Sequence, residues 1–63
     1  MSNADAVIAR AIEVFGSQEK ATGWFDDPNF LLAGVTPRSL LGTPEGRAQV
    51  LKVLGRIEYG VFS

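Results

Sequence analysis

The sequence predicts an all-α fold, a small bundle of about three main helices with one or two short helical turns. Apolar residues recur at helical spacing in successive segments of the chain. Glycine, proline and hydroxyl residues stand between these segments, where helices usually begin and end. No alternating apolar and polar run of any length occurs, so no strand is predicted. We expect residues 1–63 to form a single domain.

The first predicted helix runs from about residue 5 to residue 15. Asn3 or Asp5 would serve as its N-cap, and Gly16 stands where a left-handed C′ residue belongs. Its apolar positions share one face: Val7, Ile8, Ala11, Ile12 and Phe15.

The second predicted helix begins at Ser17 and ends before Pro28, because a residue that precedes proline disfavours the helical conformation. Glu19 lies in its first turn, where the helix dipole favours an acid. Its apolar face comprises Ala21, Trp24 and Phe25.

Two short turns and a long helix complete the expected fold. Asn29 would cap a turn over residues 30–33 closed by Gly34, and Thr36 would cap a turn over residues 37–41. The last helix should span Pro44–Tyr59, with Thr43 as N-cap and Gly60 as its stop. One face of that helix is polar, with Glu45, Gln49, Lys52 and Arg56, and the other is apolar, with Val50, Val53, Leu54, Ile57 and Val61. The predicted structural core is Ile8, Ile12, Phe15, Trp24, Phe25, Leu32, Leu41, Val50, Leu54 and Ile57.

Three glycines fall inside predicted helices, where each costs about 1 kcal/mol relative to alanine. They are Gly23, Gly46 and Gly55. This cost indicates close contact with another backbone at Gly55 and secondarily at Gly23, most simply by packing within the domain.

The composition favours association over a stable monomer. The chain has 63 residues, 46% of them hydrophobic, and no cysteine that could form a disulfide. A domain of this size buries only about 60% of the surface that its unfolded chain exposes. We therefore expect a homo-oligomer, or a core that is completed by a partner protein.

Several function classes are disfavoured by the residues present. A net charge of −1 with interspersed acids argues against nucleic-acid binding by this chain alone. No apolar run approaches the roughly 20 residues that span a bilayer, and no signal peptide opens the chain, so we expect no membrane partner and a cytoplasmic location.

We also expect no enzyme activity and no catalytic, cofactor-binding or metal site. The chain has no histidine, and its only adjacent carboxylates, Asp26 and Asp27, lie beside Pro28 and are better interpreted as a solvated helix end. No phosphate-binding glycine motif is present.

The last eight residues form an aromatic tail, whereas chain termini are commonly polar and frayed. We predict a partner-binding segment formed by Arg56, Glu58, Tyr59, Gly60, Val61, Phe62 and Ser63. Two interpretations stay open: the tail packs on the domain's own core, or another protein receives it.

A series of landmarks runs from residue 24 onward: Trp24, Pro28, Asn29, Leu32, Gly34, Pro37, Leu40, Leu41, Thr43, Glu45, Gly46, Val50 and Leu54, followed by Arg56-Ile57-Glu58-Tyr59-Gly60-Val61-Phe62. Their order resembles the C-terminal toxin-binding domain of Xre/MbcA/ParS-type antitoxins. Val14-Phe15-Gly16 and Lys20-Ala21 also fit the opening helices of the family.

The resemblance implies a RES-domain toxin as partner, an enzyme that consumes NAD⁺ and is neutralised when the antitoxin covers its active-site cleft. It also implies that the antitoxin dimerises and that the larger complex represses its own operon. These antitoxins usually carry an N-terminal helix-turn-helix domain that this sequence lacks, so DNA binding is not carried over.

Two other functions remain as alternatives. The chain could be the dimerisation domain of a transcriptional regulator, without an intrinsic toxin-binding role. It could also be a small helix-turn-helix DNA binder that uses Pro44–Tyr59 as its recognition helix, but Glu45 then places an acid where a phosphate or base edge would lie.

Overall fold

The computed structural model describes residues 3–60 of the chain. Three α-helices and two short 3₁₀ helices follow one another. They are α1 (Asn3–Phe15), α2 (Gln18–Asp26), a first 3₁₀ helix (Phe30–Leu32), a second 3₁₀ helix (Pro37–Leu40) and α3 (Pro44–Tyr59). No strand occurs within residues 3–60, so the predicted small all-α bundle is confirmed. In the same part of the chain, no helix combines the length and apolar character needed to cross a membrane.

Side-chain caps begin four of the five helices as the sequence predicts. Ser17 Oγ accepts a hydrogen bond from the backbone N–H of Lys20 at 3.1 Å. Thr43 Oγ1 accepts one from the N–H of Gly46 at 3.0 Å. Asn29 Oδ1 and Thr36 Oγ1 do the same for the two 3₁₀ helices. Each cap satisfies a backbone donor that a helix start otherwise leaves unpaired.

The first helix begins earlier than predicted. Both Asn3 and Asp5 lie inside α1, with Asp5 in its first turn, so neither serves as the expected N-cap. Its predicted end is correct, because Phe15 is the last helical residue and Gly16 follows with a φ of +82°.

The loop after α2 contains a left-handed residue that is not glycine. The predicted turn over residues 30–33 is a 3₁₀ helix of three residues, and Ala33 follows it with a φ of +61°. Asn29 holds this loop together, since its carbonyl accepts from the N–H groups of Leu32 and Gly34 and its own N–H donates to Val35. The short polar connection therefore satisfies its backbone groups locally.

The core lies where α1 packs between α2 and α3, with the 3₁₀ helices against α3. Its buried apolar residues are Val7, Ala11, Ala21, Phe25, Leu32, Leu41, Val50, Val53 and Leu54. Five predicted core residues are in this set: Phe25, Leu32, Leu41, Val50 and Leu54. The other five are partly buried and pack against it: Ile8, Ile12, Phe15, Trp24 and Ile57. The small side chains of Ala11 and Ala21, which are 0% and 1% exposed, lie at the centre of this packing.

The glycine that meets another backbone is not the one expected. A Cβ added at Gly46 would lie 2.0 Å from the carbonyl oxygen of Leu40. At Gly55 and Gly23, no heavy atom other than those of the adjoining helix backbone lies within 4 Å of such a Cβ, so the predicted close contacts at these two positions are wrong within this part of the chain. The 3₁₀ helix before α3 runs so close to the first turn of α3 that only glycine fits at position 46.

Two ion pairs join elements that are far apart in sequence. The guanidinium of Arg10 on α1 pairs with the Glu58 carboxylate on α3, and with Glu13 at 3.7 Å. Arg38 Nε donates to Asp26 Oδ1 at 2.6 Å, which ties the second 3₁₀ helix to the end of α2. Asp26 is therefore a contact between elements as well as a helix end.

Candidate functional site

The C-terminal turn of α3 carries the described part of the predicted partner-binding segment. Arg56 and Tyr59 are exposed, and Tyr59 retains 76% of its accessible surface. They are three residues apart on a helix, so their side chains are neighbours on one face. Gly60 caps α3 with a φ of +67° and donates its N–H to the carbonyls of Arg56 and Ile57. Val61, Phe62 and Ser63 lie outside the described residues.

Glu58 lies on a different side of α3 from the exposed pair of Arg56 and Tyr59. Its carboxylate pairs with Arg10 of α1, which places it on the side of α3 that packs against the bundle. Because a helix turns about 100° per residue, residues 56 and 58 point to nearly opposite sides. The structure therefore assigns Glu58 a contact within the chain, and separates it from the exposed cationic and aromatic pair.

A groove lies beside this pair, between the first 3₁₀ helix and α3. We call it the basic groove; it has a volume of about 190 Å³ and is lined by Leu31, Leu32, Gln49, Lys52, Val53 and Arg56. Leu32 and Val53 are each 5% exposed and form an apolar floor. Lys52 and Arg56 are exposed, and neither side chain has an ion-pair partner within residues 3–60.

An exposed aromatic ring precedes the groove in the chain. Phe30 is 87% exposed, the largest exposure among the big apolar residues described, and it opens the same 3₁₀ helix that supplies Leu31. Exposed aromatic residues are common anchors at protein interfaces. The sequence placed Phe30 in a short turn, but it contained no signal that the ring would face solvent.

Sequence reasoning also missed the groove itself. The polar stripe of Gln49, Lys52 and Arg56 was visible at helical spacing, and so could have marked one wall. The other wall, Leu31, is contributed by a segment that reaches α3 only through the tertiary fold.

A second cavity, of about 310 Å³, lies between the first turns of α1 and α3. It is lined mainly by apolar residues, among them Ala6, Val7, Ala48 and Leu51. Leu51 is 43% exposed. This surface is suited to packing against apolar side chains.

Within residues 3–60, no three acidic, histidine or cysteine side chains come together in a group that could hold a metal ion. No buried side-chain nitrogen or oxygen in this range lacks a hydrogen-bond partner. Aromatic residues and arginine are enriched at protein–protein interfaces relative to the rest of a protein surface.

Comparison with known proteins identifies the family. The sequence model of the antitoxin Xre/MbcA/ParS C-terminal toxin-binding domain matches residues 10–60. Two curated relatives, from Photorhabdus laumondii and Yersinia enterocolitica, are each named Antitoxin Xre and are 40% identical over 58 residues. The match covers 90% of this chain and 39% of each relative, so the chain spans about two-fifths of their length. No solved structure gives a significant match. The chain therefore belongs to the family of the antitoxin Xre/MbcA/ParS C-terminal toxin-binding domain.

Proposed function

We propose that this chain is the toxin-binding domain of a type II toxin–antitoxin system. In this proposal it neutralises an NAD-consuming RES-domain toxin by covering the active-site cleft of the toxin. Family membership supports the role of an antitoxin domain. The observation that carries the proposal is the end of α3, where Tyr59 is 76% exposed beside Arg56, whose guanidinium has no ion-pair partner within residues 3–60.

The proposed mechanism is steric and requires no catalysis by this chain. A cleft that holds NAD⁺ presents N–H or cationic groups to the pyrophosphate and apolar walls to the rings. In this proposal, Tyr59 and Phe62 supply the complementary aromatic groups. Aromatic anchors of this kind tend to dominate the energy of an interface. Occupation of the cleft by these residues would exclude the dinucleotide.

Removal of residues 61–63 tests this mechanism. Gly60 is retained in the variant because its backbone N–H donates to the carbonyl oxygens of Arg56 and Ile57 at the end of α3. The truncated chain is co-expressed with a candidate RES-domain toxin from the same genome, and rescue of growth and cellular NAD⁺ are measured. Helical circular dichroism of the purified variant is recorded in parallel. We expect an unchanged helical signal together with a loss of rescue.

Two results would contradict the mechanism. A truncated chain that unfolds would show that residues 61–63 belong to the core, and one that folds and still rescues would leave them without a role in inhibition. Arg56→Glu adds a second measurement, since it reverses a charge on the exposed face and should weaken toxin binding without unfolding the chain. Lys20→Glu, a reversal on an exposed residue of α2, is the matched control.

We further propose that the domain forms a homo-oligomer. The apolar cavity between α1 and α3, with Leu51 at 43% exposure, supports this proposal and equally the alternative of a dimerisation domain in a transcriptional regulator. Sedimentation at micromolar concentration should show a dimer or larger species that Leu51→Glu dissociates. Val35→Glu, at a residue 40% exposed in a loop, serves as control. A parent chain that is a cooperatively unfolding monomer would contradict the homo-oligomer proposal. Rescue of toxin-arrested cells by the parent chain distinguishes an antitoxin domain from a dimerisation domain that does not bind a toxin.

A further inference from the structure

The cavities described differ in whether the arginine and lysine side chains that line them already have a partner within the chain. Arg47, beside the apolar cavity of α1 and α3, donates to the carbonyl oxygen of Leu41 at 3.0 Å. Arg38 lines a third cavity, between α1 and α2, and is paired with Asp26 at 2.6 Å. In the basic groove, the side chains of Lys52 and Arg56 have neither a carbonyl hydrogen-bond partner nor an ion-pair partner within residues 3–60. Their charges are therefore available to a ligand.

The two cations of the basic groove repel each other. Lys52 and Arg56 are four residues apart on α3, where like charges are neighbours and destabilise a helix. Such a local conflict is expected at sites kept for function. An acidic group placed between the two cations would remove the repulsion.

We propose that the basic groove receives an acidic segment of the partner toxin. An aspartate or glutamate of that segment pairs with Lys52 and Arg56, and a neighbouring apolar side chain packs on Leu32 and Val53. This inference rests on the proposed function, since it defines a second contact with the same toxin away from the active-site cleft. The groove adjoins Arg56 and Tyr59, so one partner surface can engage both regions.

Other occupants fit the groove less well. Two cations are fewer than the 6–10 phosphate contacts of typical DNA binding, and Glu45 lies on the same face of α3. A volume of about 190 Å³ is below the range of about 300–1,000 Å³ for cofactor sites. A second copy that docked by this face about a two-fold axis would bring the same cations of both copies together. An acidic protein segment avoids each difficulty.

Lys52→Glu tests the proposal in the full chain. Binding of the purified RES-domain toxin that the parent chain neutralises is measured by biolayer interferometry at 50 and 500 mM NaCl. Lys20→Glu is the control with the same charge change on an exposed residue of α2. We expect Lys52→Glu to weaken binding about tenfold at low salt, mainly by slower association, because charges at the edge of an interface act chiefly on the association rate. Lys20→Glu should stay within about twofold of the parent chain.

The dependence on salt separates an electrostatic contact from a misfolded variant. The Debye length falls as salt rises, so the difference between Lys52→Glu and the parent should shrink at 500 mM NaCl. Equal affinities of Lys52→Glu and Lys20→Glu, in a chain that binds the toxin, would overturn the groove proposal and leave the proposed function intact. A parent chain that does not bind the toxin would overturn both. Restored binding when a toxin carboxylate is changed to lysine in combination with Lys52→Glu would identify the acidic residue.

Discussion

Gly46→Ala should destabilise this protein, although alanine is the better helix former. Gly46 lies in the first turn of α3 and is buried. A Cβ at this position would lie 2.0 Å from the carbonyl oxygen of Leu40, 2.9 Å from its carbonyl carbon and 3.0 Å from its Cα. All three atoms belong to the backbone, so no side-chain rotation can relieve the overlap.

The size of the effect follows from this geometry. Carbon and oxygen atoms approach to about 3.3 Å in the closest favourable contacts, so the two segments must separate by about 1.3 Å. That movement disturbs the cap of Thr43 on Gly46 and the bond from Arg47 to Leu41, both at 3.0 Å. Overpacking costs about 1–3 kcal/mol or more, and alanine returns at most about 1 kcal/mol. We expect a net loss of about 2 kcal/mol in the free energy of unfolding.

Thermal and urea unfolding, followed by circular dichroism at 222 nm, would measure this loss. For a domain of this length, a loss of about 2 kcal/mol lowers Tm by roughly 8–16 °C. Gly55→Ala and Gly23→Ala are matched controls, because both positions are helical and an added Cβ would have no heavy atom within 4 Å other than those of the adjoining helix backbone. Each should raise stability by about 0.5–1 kcal/mol.

Two outcomes would refute the reasoning. The first is a Gly46→Ala variant as stable as the parent, which would mean that the 3₁₀ helix separates from α3 at little cost. The second is a loss at Gly55 equal to that at Gly46. If the loss at Gly55 depended on protein concentration, it would instead indicate contact with a second copy.

The remaining predictions concern the core, a cap and an ion pair. Phe25→Ala should lower the free energy of unfolding by about 3–5 kcal/mol and unfold most of the chain, because Phe25 is 1% exposed. Trp24→Ala should lower it less in a urea titration, since Trp24 is only partly buried. Thr43→Ala should cost about 1 kcal/mol by removing the acceptor for Gly46, whereas Thr43→Ser should be nearly neutral; equal losses would contradict a capping role. A double-mutant cycle on Arg10 and Glu58 should give a coupling of at most about 1 kcal/mol that falls at 1 M salt, and a larger salt-independent value would be inconsistent with an exposed pair.

The helix boundaries could be predicted because the interactions that set them are local. The caps at Ser17, Asn29 and Thr43 join atoms two or three residues apart, so the residue types near each boundary were sufficient. The start of α1 was predicted too late, because polar residues near a helix start can be caps or first-turn residues and sequence does not separate the two. Ala33 was missed as a left-handed residue because alanine rarely adopts that conformation.

The candidate site could be predicted only along α3. Arg56, Tyr59 and the glycine stop were apparent from the sequence, and so was the polar stripe that includes Lys52. The role of Glu58 was not, because its partner Arg10 is 48 residues away. Similarly, the exposure of Phe30 depends on how the first 3₁₀ helix sits against α3.

The sequence by itself therefore determined the order of the helices, the side-chain caps of four of them, the apolar faces and the family of this chain. The tertiary structure decided that Gly46 lies against the backbone of Leu40 and that Glu58 pairs with a residue of α1. It also decided that Leu31 and Lys52 line the same groove. Helix formation depends on residues within one or two turns, and those residues are adjacent in the sequence. Close backbone approach, long-range ion pairs and grooves depend on how whole helices are placed, and many side chains set that placement together.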